Sequence, residues 1–586
     1  MYKAMLTSIL WTRYFIHIIV LTWIFITVDA FPGNSPTFKV LNESQTSEID
    51  SATTAYRGVF WQITDIHWDQ QYSVDGDETK MCHKEYSSSN VKNGVYGNYL
   101  CDSPWPLVKN AIKTMAQLES RPDFVLWTGD SSPHVSDPEP DFAVIFRTLN
   151  NVTMEMRMAF QDSVPILPVL GNHDAFPKDY YPVAGEEFYG QYLTKGGWSL
   201  VLPKDAQEDF KMGGYYEYAL TSGVRVMVLN TNLYYAPNKL RQNVSDPCGQ
   251  FAWMKKKLLA AREKDYKMII AAHAPPGYFE RFAVIPFFSE DYNDIYVDHL
   301  NDFGDVIMGQ IYGHEHTDSF KLFSTSNGSA KSVAFLAPSV TPWYPAPVPG
   351  GTPINPSLRL FLYNSTTLLD YIQYNLNLTK AGIKSTNTNK EDKVSSDIKK
   401  ETLIGEPKWE KFYQARNFYG LKSLEVSSMI ELYERLHVDD NIFQAYYLLN
   451  SAGYNHGKCN STCRKTQLCA IGNVKIQDLN ICMGYLHTKV STVNHHSMSK
   501  YPSHNGNYII ENGFPVSTNS REGYSAPYFV VILLTFGMSL MVVLTVSLAV
   551  MLIKTVLARH KRLREEGGIN VTDLNIGLRP KGYRPF

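Results

Sequence analysis

The stretch Val164-Pro165-Ile166-Leu167-Pro168-Val169-Leu170-Gly171-Asn172-His173-Asp174 sets the reading of the whole chain. A strand-like apolar run ends at Leu170, a glycine permits a sharp turn, and three side chains with ligating or titratable groups follow. The same succession recurs on either side. Val59 to Thr64 runs into Asp65-Ile66-His67, and Asp123 to Thr128 runs into Gly129-Asp130. Downstream, Met268 to Ala272 precedes His273-Ala274-Pro275-Pro276, and Val306 to Tyr312 precedes Gly313-His314-Glu315-His316. Between the runs, Leu107, Val108, Ala111, Ile112, Met115 and Leu118 recur at helical spacing, as do Phe251, Met254, Leu258 and Leu259. Val224 to Thr231 and Leu358 to Tyr363 read as further strands. This alternation predicts a layered α/β domain, and such folds place ligands in loops beyond the carboxyl ends of strands. Carboxylate and amide oxygens combined with imidazoles suit zinc, iron or manganese rather than calcium. A lone histidine is ordinarily structural, and that reading applies to His437, His487, His495, His496 and His504, which no comparable motif surrounds. It does not apply to five successive strand-to-loop junctions that each deliver a ligand-type residue.

The 586 residues allow three or four folded units at ~150 residues each. Lys and Arg total 55 against 57 Asp and Glu, a net charge of −2 without the basic surplus of a nucleic-acid binder. A 44% hydrophobic and 13% aromatic content supports a sizeable core and excludes wholesale disorder. A mean hydropathy of −0.23 excludes a polytopic membrane protein. Nucleophilic serine chemistry lacks a Gly-x-Ser-x-Gly context, and there is no Gly-rich phosphate loop.

Residues 1–30 read as a secretory signal: Lys3 and Arg13, an uncharged run from Tyr14 to Val28, and small residues Val28 and Ala30 flanking Asp29. A polar leader (31–57) precedes the catalytic domain (58–378). Residues 379–401, rich in Lys, Ser, Thr and Asn, read as a linker or insert. A helical, cysteine-bearing C-terminal subdomain (402–500) and a polar stalk (501–525) follow. No charged residue lies between Glu522 and Lys554, so residues 526–553 suffice for one transmembrane helix. Lys554, Arg559, Lys561, Arg562 and Arg564 then place the tail (554–586) in the cytosol. The expectation is a single-pass type I protein of the cell membrane with its bulk outside the cytosol. Gly582-Tyr583-Arg584-Pro585-Phe586 resembles a tyrosine-based sorting signal, which leaves the endolysosomal membrane as the alternative. Asn42, Asn151, Asn243, Asn327, Asn364, Asn377 and Asn460 open glycosylation sequons on the lumenal side; Asn570 lies beyond the span. Six of the seven cysteines fall in close pairs, Cys82/Cys101, Cys459/Cys463 and Cys469/Cys482. Six cysteines allow 15 connectivities. Local disulfides are the expectation, with a zinc knuckle from the last four as the alternative, and Cys248 is left as a buried free thiol.

The ordered series Asp-x-His, Gly-Asp, Gly-Asn-His-Asp, His and Gly-His-x-His resembles the signature of the calcineurin-like metallophosphoesterases. More narrowly, the chain resembles the acid sphingomyelinase-like phosphodiesterases. Ile63 to His67, Thr128-Gly129-Asp130-Ser131-Ser132-Pro133-His134, Gln250-Phe251-Ala252-Trp253 and Pro338-Ser339-Val340-Thr341-Pro342 carry that likeness. Asn355-Pro356 with Arg359 and the late cysteine spacing add to it. The resemblance implies a layered β-sandwich flanked by helices, and a metal-dependent phosphodiesterase acting at two zinc ions, other divalent transition metals being an alternative. Asp65, His67 and His316 would hold one ion, and Asn172, His273 and His314 the other. Asp130 would bridge both. Paired dications lower the pKa of a shared water, making hydroxide available for in-line attack at phosphorus. The resemblance makes His134 the general acid and His173 a phosphate contact or its partner, with Asp174 orienting a ligand. The expected partner is a lipid or small-molecule phosphodiester, sphingomyelin or a nucleotide type, with no nucleic-acid polymer. The sphingomyelinase proper carries a saposin-like domain for which residues 31–57 leave no room, so soluble diesters stay open. A phosphomonoesterase or nucleotidase, and a non-catalytic cell-surface binding module, are the competing expectations.

Overall fold

The computed structural model describes residues 58–485, apart from 85–91, 136–138, 242, 282–284, 325–328, 344–351, 382–405 and 455–456. The expected signal, leader, stalk, span, cytosolic tail and most of the insert lie outside the described residues. No helix among the described residues is long and apolar enough to cross a membrane.

Strands and helices alternate from the start: β1 (Gly58–Ile63), β2 (Tyr72–Asp77), α1 (Trp105–Leu118), β3 (Phe124–Trp127), α2 (Phe142–Ala159) and β4 (Ile166–Pro168). Next come α3 (Glu186–Thr194), α4 (Lys204–Gly213), β5 (Tyr216–Ala219), β6 (Arg225–Val228), α5 (Gln250–Glu263) and β7 (Met268–Ala271). Then follow α6 (Glu290–Asp302), β8 (Ile307–Tyr312), β9 (Ser319–Ser324), β10 (Ala330–Leu336), β11 (Ser357–Tyr363) and β12 (Leu368–Asn375). The C-terminal part holds β13 (Glu410–Gln414), α7 (Val426–Val438), α8 (Asp440–Asn450), α9 (Ser461–Gly472) and α10 (Ile476–Met483).

Two six-stranded mixed sheets result, in the orders β13-β12-β11-β1-β3-β4 and β5-β6-β7-β8-β10-β9. The strands that lead into the candidate loops, β1, β3 and β4 in one sheet and β7 and β8 in the other, are paired in parallel. Their carboxyl ends therefore emerge side by side. The sheets meet through apolar faces: Phe60 stacks on Phe124 (4.5 Å) and Phe361 (4.9 Å), and Phe361 reaches Phe335 of the opposite sheet (6.2 Å). A buried Gln62 ties the layers by donating to the Tyr312 carbonyl (2.9 Å) and the Thr128 hydroxyl (3.1 Å).

The expected helices exist, but their apolar stripes are narrower than the sequence implies. Leu107, Val108, Ala111, Ile112 and Met115 are buried, whereas Leu118 in the last turn of α1 is 47% exposed. On α5, Phe251, Met254 and Leu258 are buried and Leu259 faces out at 40%. One turn of helix advances 3.6 residues, so Leu259 lies about 100° from Leu258. Trp409 to Leu449 is not uniformly helical: Glu410–Gln414 forms β13 and pairs antiparallel with β12. The segment beyond the insert is thus built into the first sheet.

The cysteines pair locally, Cys82–Cys101, Cys459–Cys463 and Cys469–Cys482, with Cα separations of 5.9, 5.4 and 5.7 Å. Cys248 is free, and half-buried rather than buried: its thiol points to the Pro182 carbonyl (3.7 Å). None of the described sequon residues is buried; Asn243 and Asn460 are exposed, and Asn151, Asn364 and Asn377 partly so. Asn42 and Asn327 lie outside the described residues.

Candidate metal centre

Five chain segments converge at the carboxyl ends of β1, β3, β4, β7 and β8. Their backbones are laced together before any side chain is considered. Asp65 and His67 donate to the carbonyls of Gly129 and Asp130 (3.1 Å each), and Gly313 donates to His273 (3.0 Å). The Asp174 carboxylate accepts from the backbone N–H groups of Asp130 (3.0 Å), Ser131 (2.9 Å), Ser132 (3.3 Å) and Gly171 (3.0 Å). It therefore orients the Asp130 loop through the main chain. The Gly171 and Gly129 turns need their glycines because the loops touch: a Cβ on Gly171 would sit 2.1 Å from the Asp130 nitrogen, and Gly129 has φ +94°. Asp65, His67, Asp130, His314 and His316 all have positive φ, between 42° and 72°. Such strain in non-glycine residues survives only where the surroundings over-determine it, and it concentrates at functional sites.

The side chains form three groups whose ligand atoms lie within 4.8 Å of one another: Asp65/His67/Asp130, Asp130/His273/His314 and His67/His134/His316. All six His and Asp residues expected as ligands are in these groups. Asn172 joins them by placing Oδ1 3.0 Å from His273 Nε2. Asp130 belongs to two groups, with Oδ2 3.2 Å from His273 Nε2 and 3.5 Å from His67 Nε2. His316 Nε2 is 3.4 Å from Asp65 Oδ1.

This geometry asks for a cation. His273 Nδ1 donates to the Thr128 carbonyl (2.8 Å), which turns Nε2 toward two oxygens and His314 Nδ1 (3.2 Å). His67 Nδ1 donates to the Ser132 carbonyl (2.7 Å), and its buried Nε2 has no hydrogen-bond partner. Acceptors therefore crowd around one position, where a proton on His273 Nε2 or a cation can hold them together, and His67 Nε2 is left with neither. The electrostatics agree. Burial opposes a charge on His273, yet the Asp130 carboxylate pushes its pKa up to about 9. Burial likewise disfavours ionised Asp65, but His316, His67 and His273 hold its carboxyl well below the usual range. His314 moves the other way, to about 3, under burial and the charge of His273. Burial and neighbouring Asp130 push Asp174 up to about 6. Hard oxygens and borderline imidazoles in two groups around a shared carboxylate fit a binuclear metal centre.

His134 and His173 lie beside this centre. The His134 ring stacks on His67 (3.7 Å) and packs against Trp343 (4.1 Å), and His173 is 4.5 Å from it edge-on. Two acidic residues here have no signal in the sequence reading. Asp102 is fully buried; it accepts from the His134 backbone (2.7 Å), His134 Nδ1 (2.9 Å) and the Thr341 hydroxyl (3.1 Å). Asp179 accepts from Asn172 Nδ2 (2.9 Å), turning the amide oxygen toward His273. The one pointer to Asp102 is its place next to Cys101, whose disulfide fixes the loop; Asp179 sits in an unpatterned turn. Asp102 determines which nitrogen of His134 carries the proton. In Asp102→Asn the negative charge that favours the doubly protonated ring is lost, so a His134 with Nδ1–H held and an acidic proton on Nε2 becomes rarer. Turnover should fall by ~10²-fold, the scale of a misplaced catalytic group, while metal content measured by atomic absorption stays unchanged.

A family model described as calcineurin-like phosphoesterase matches residues 58–318. The two-sheet fold and the His/Asp groups define a metallophosphoesterase. A second model, described as acid sphingomyelin phosphodiesterase C-terminal region, matches residues 394–489. The chain belongs to the acid sphingomyelinase-like phosphodiesterases. It is 34% identical to acid sphingomyelinase-like phosphodiesterase 3b of Mus musculus, covering 74% of this chain and 92% of that protein. It is 33% identical to the cyclic GMP-AMP phosphodiesterase SMPDL3A of Homo sapiens (74% and 91%). It is 34% identical to a sphingomyelinase phosphodiesterase C of Dictyostelium discoideum (73% and 92%). The chain is a metal-dependent phosphodiesterase.

Proposed function

We propose that this phosphodiesterase is a membrane-anchored ectoenzyme that cleaves lipid or nucleotide-type phosphodiesters with two zinc ions. The shared position of Asp130 between two ligand groups, with His134 at their edge, carries the reading. Asp65, His67 and His316 would hold one ion, Asn172, His273 and His314 the other, and Asp130 would contribute to both. The ions supply positive charge at the phosphoryl oxygens and lower the pKa of water at the site. The protein's own part is orientation and proton transfer. His134 gives its Nε2 proton to the departing alkoxide oxygen while Asp102 holds Nδ1. Trp343 and His67 sandwich the His134 ring, and His173 lies within reach of the same phosphate. Support for the anchor is the uncharged segment 526–553 with its basic flank, and the three disulfides favour an oxidising compartment. The cell membrane is the proposed location, with the catalytic domain outside the cytosol and the sequons glycosylated.

The test is a substrate panel on the zinc-loaded full chain in detergent micelles: sphingomyelin, a cyclic dinucleotide, a generic diester and a matched monoester. Diesters are expected to turn over well above the monoester. Preference for the monoester would replace this reading with a nucleotidase. Full zinc occupancy without turnover on any of them would replace it with a binding module.

A further inference from the structure

We propose that Glu280 is a positioning residue for the loop Gly313–His316, and that helix α8 of the C-terminal part sets the metal centre through it. The inference rests on the binuclear reading above. Glu280 lies in the loop after β7, downstream of His273, and is fully buried. Its carboxylate accepts from four side chains. Two are the hydroxyls of Thr317 (2.9 Å), next to His316, and of Ser319, the first residue of β9. Two, the Tyr446 hydroxyl (3.2 Å) and the Asn450 amide, come from α8. The Glu280 N–H in turn donates to the carboxylate of Glu315 (3.2 Å), the residue between His314 and His316. Glu315 is held from its other side by Lys321 Nζ (2.8 Å), which also donates to the Tyr278 carbonyl (2.8 Å). Asn450 closes the circuit, its carbonyl accepting from Asp318 N–H (3.0 Å).

One buried carboxylate thus joins the His273 segment, the His314/His316 loop and α8. The loop needs such a brace, because His314 and His316 both carry strained backbones with φ of 72° and 59°. Strain of that kind relaxes when its over-determining contacts go. Glu280 is in none of the ligand-capable groups and its carboxylate is occupied by Thr317, Ser319, Tyr446 and Asn450, so its effect reaches the centre through where it holds His314 and His316. Groups one layer behind metal ligands typically change affinity 10–100-fold when removed. Glu280→Gln replaces one acceptor oxygen with a donor, leaving two of the four donors without an acceptor.

The experiment is competition of the full chain against a chromophoric chelator for Zn²⁺, with melting temperature recorded on the metal-free form. Glu280→Gln is expected to weaken binding of zinc 10–100-fold relative to wild type. Tyr446→Phe, a milder change on α8, should weaken it in the same direction by a smaller factor. Leu436→Ala, a buried apolar truncation in α7, should lower the metal-free melting temperature without moving zinc affinity. Wild-type affinity in Glu280→Gln and Tyr446→Phe would overturn the proposal, as would equal weakening in Leu436→Ala. A wild-type chain that bound no zinc would instead overturn the binuclear reading itself, and this inference with it.

Discussion

His134→Ala is expected to lower turnover of a natural diester by about 10²–10⁴-fold, the usual scale for losing a general acid, with bound metal unchanged. The size of the loss should depend on the leaving group. An alkoxide leaves badly without a proton, whereas a nitrophenolate leaves well, so the deficit should shrink steeply on a nitrophenyl diester. The structure motivates both halves. His134 belongs to a ligand-capable group with His67 and His316, yet its Nδ1 faces Asp102 at 2.9 Å and its ring lies flat on His67. If metal content fell in parallel with activity, His134 would be a ligand rather than the acid. A loss that stayed constant across leaving groups would remove proton donation from its role.

Asp130→Asn should cost metal as well as turnover. The change is nearly isosteric and keeps the oxygen that accepts from the His173 N–H (2.8 Å), so the loop can stay in place. What disappears is a full negative charge between His67 and His273. Without it, electrostatic support for both cations falls and so does support for the cationic form of His273. Metal ions contribute several kcal/mol of transition-state stabilisation. At 1.36 kcal/mol per factor of ten, turnover should drop by ~10³-fold or more. Metal analysis should show at least one zinc equivalent lost per chain after dialysis. Retention of two equivalents together with wild-type turnover would show that Asp130 does not bridge.

The strands that carry the centre were legible because each pairs an apolar run with an abrupt change of chemistry, as at Leu170 to Asn172. Parallel strands buried on both faces read as continuous apolar stretches, and β1, β3, β7 and β8 are of that kind. What stayed hidden has the opposite character. β13 is Glu410-Lys411-Phe412-Tyr413-Gln414, an edge strand with one buried residue, and nothing in its pattern separates it from a helix start. Asp102, Asp179 and Glu280 are single acids whose roles arise from partners 7 to 239 residues away in sequence. Spacing along a chain reports on which residues share an element. It carries no record of which carboxylate will lie against which amide once the layers close.

The pairing of β1 with β11, and of β12 with β13, has a consequence for how the molecule is made. A ribosome delivers Gly58 long before Tyr363, its partner in the sheet, and longer still before Asn450. Contacts of such separation form late and slowly. For most of its synthesis the growing polypeptide therefore has an unfinished sheet margin and no brace behind His314 and His316. All the expected ligands are translated before the α8 helix, so a chain cut short of Asp440 should hold zinc less tightly than the full one.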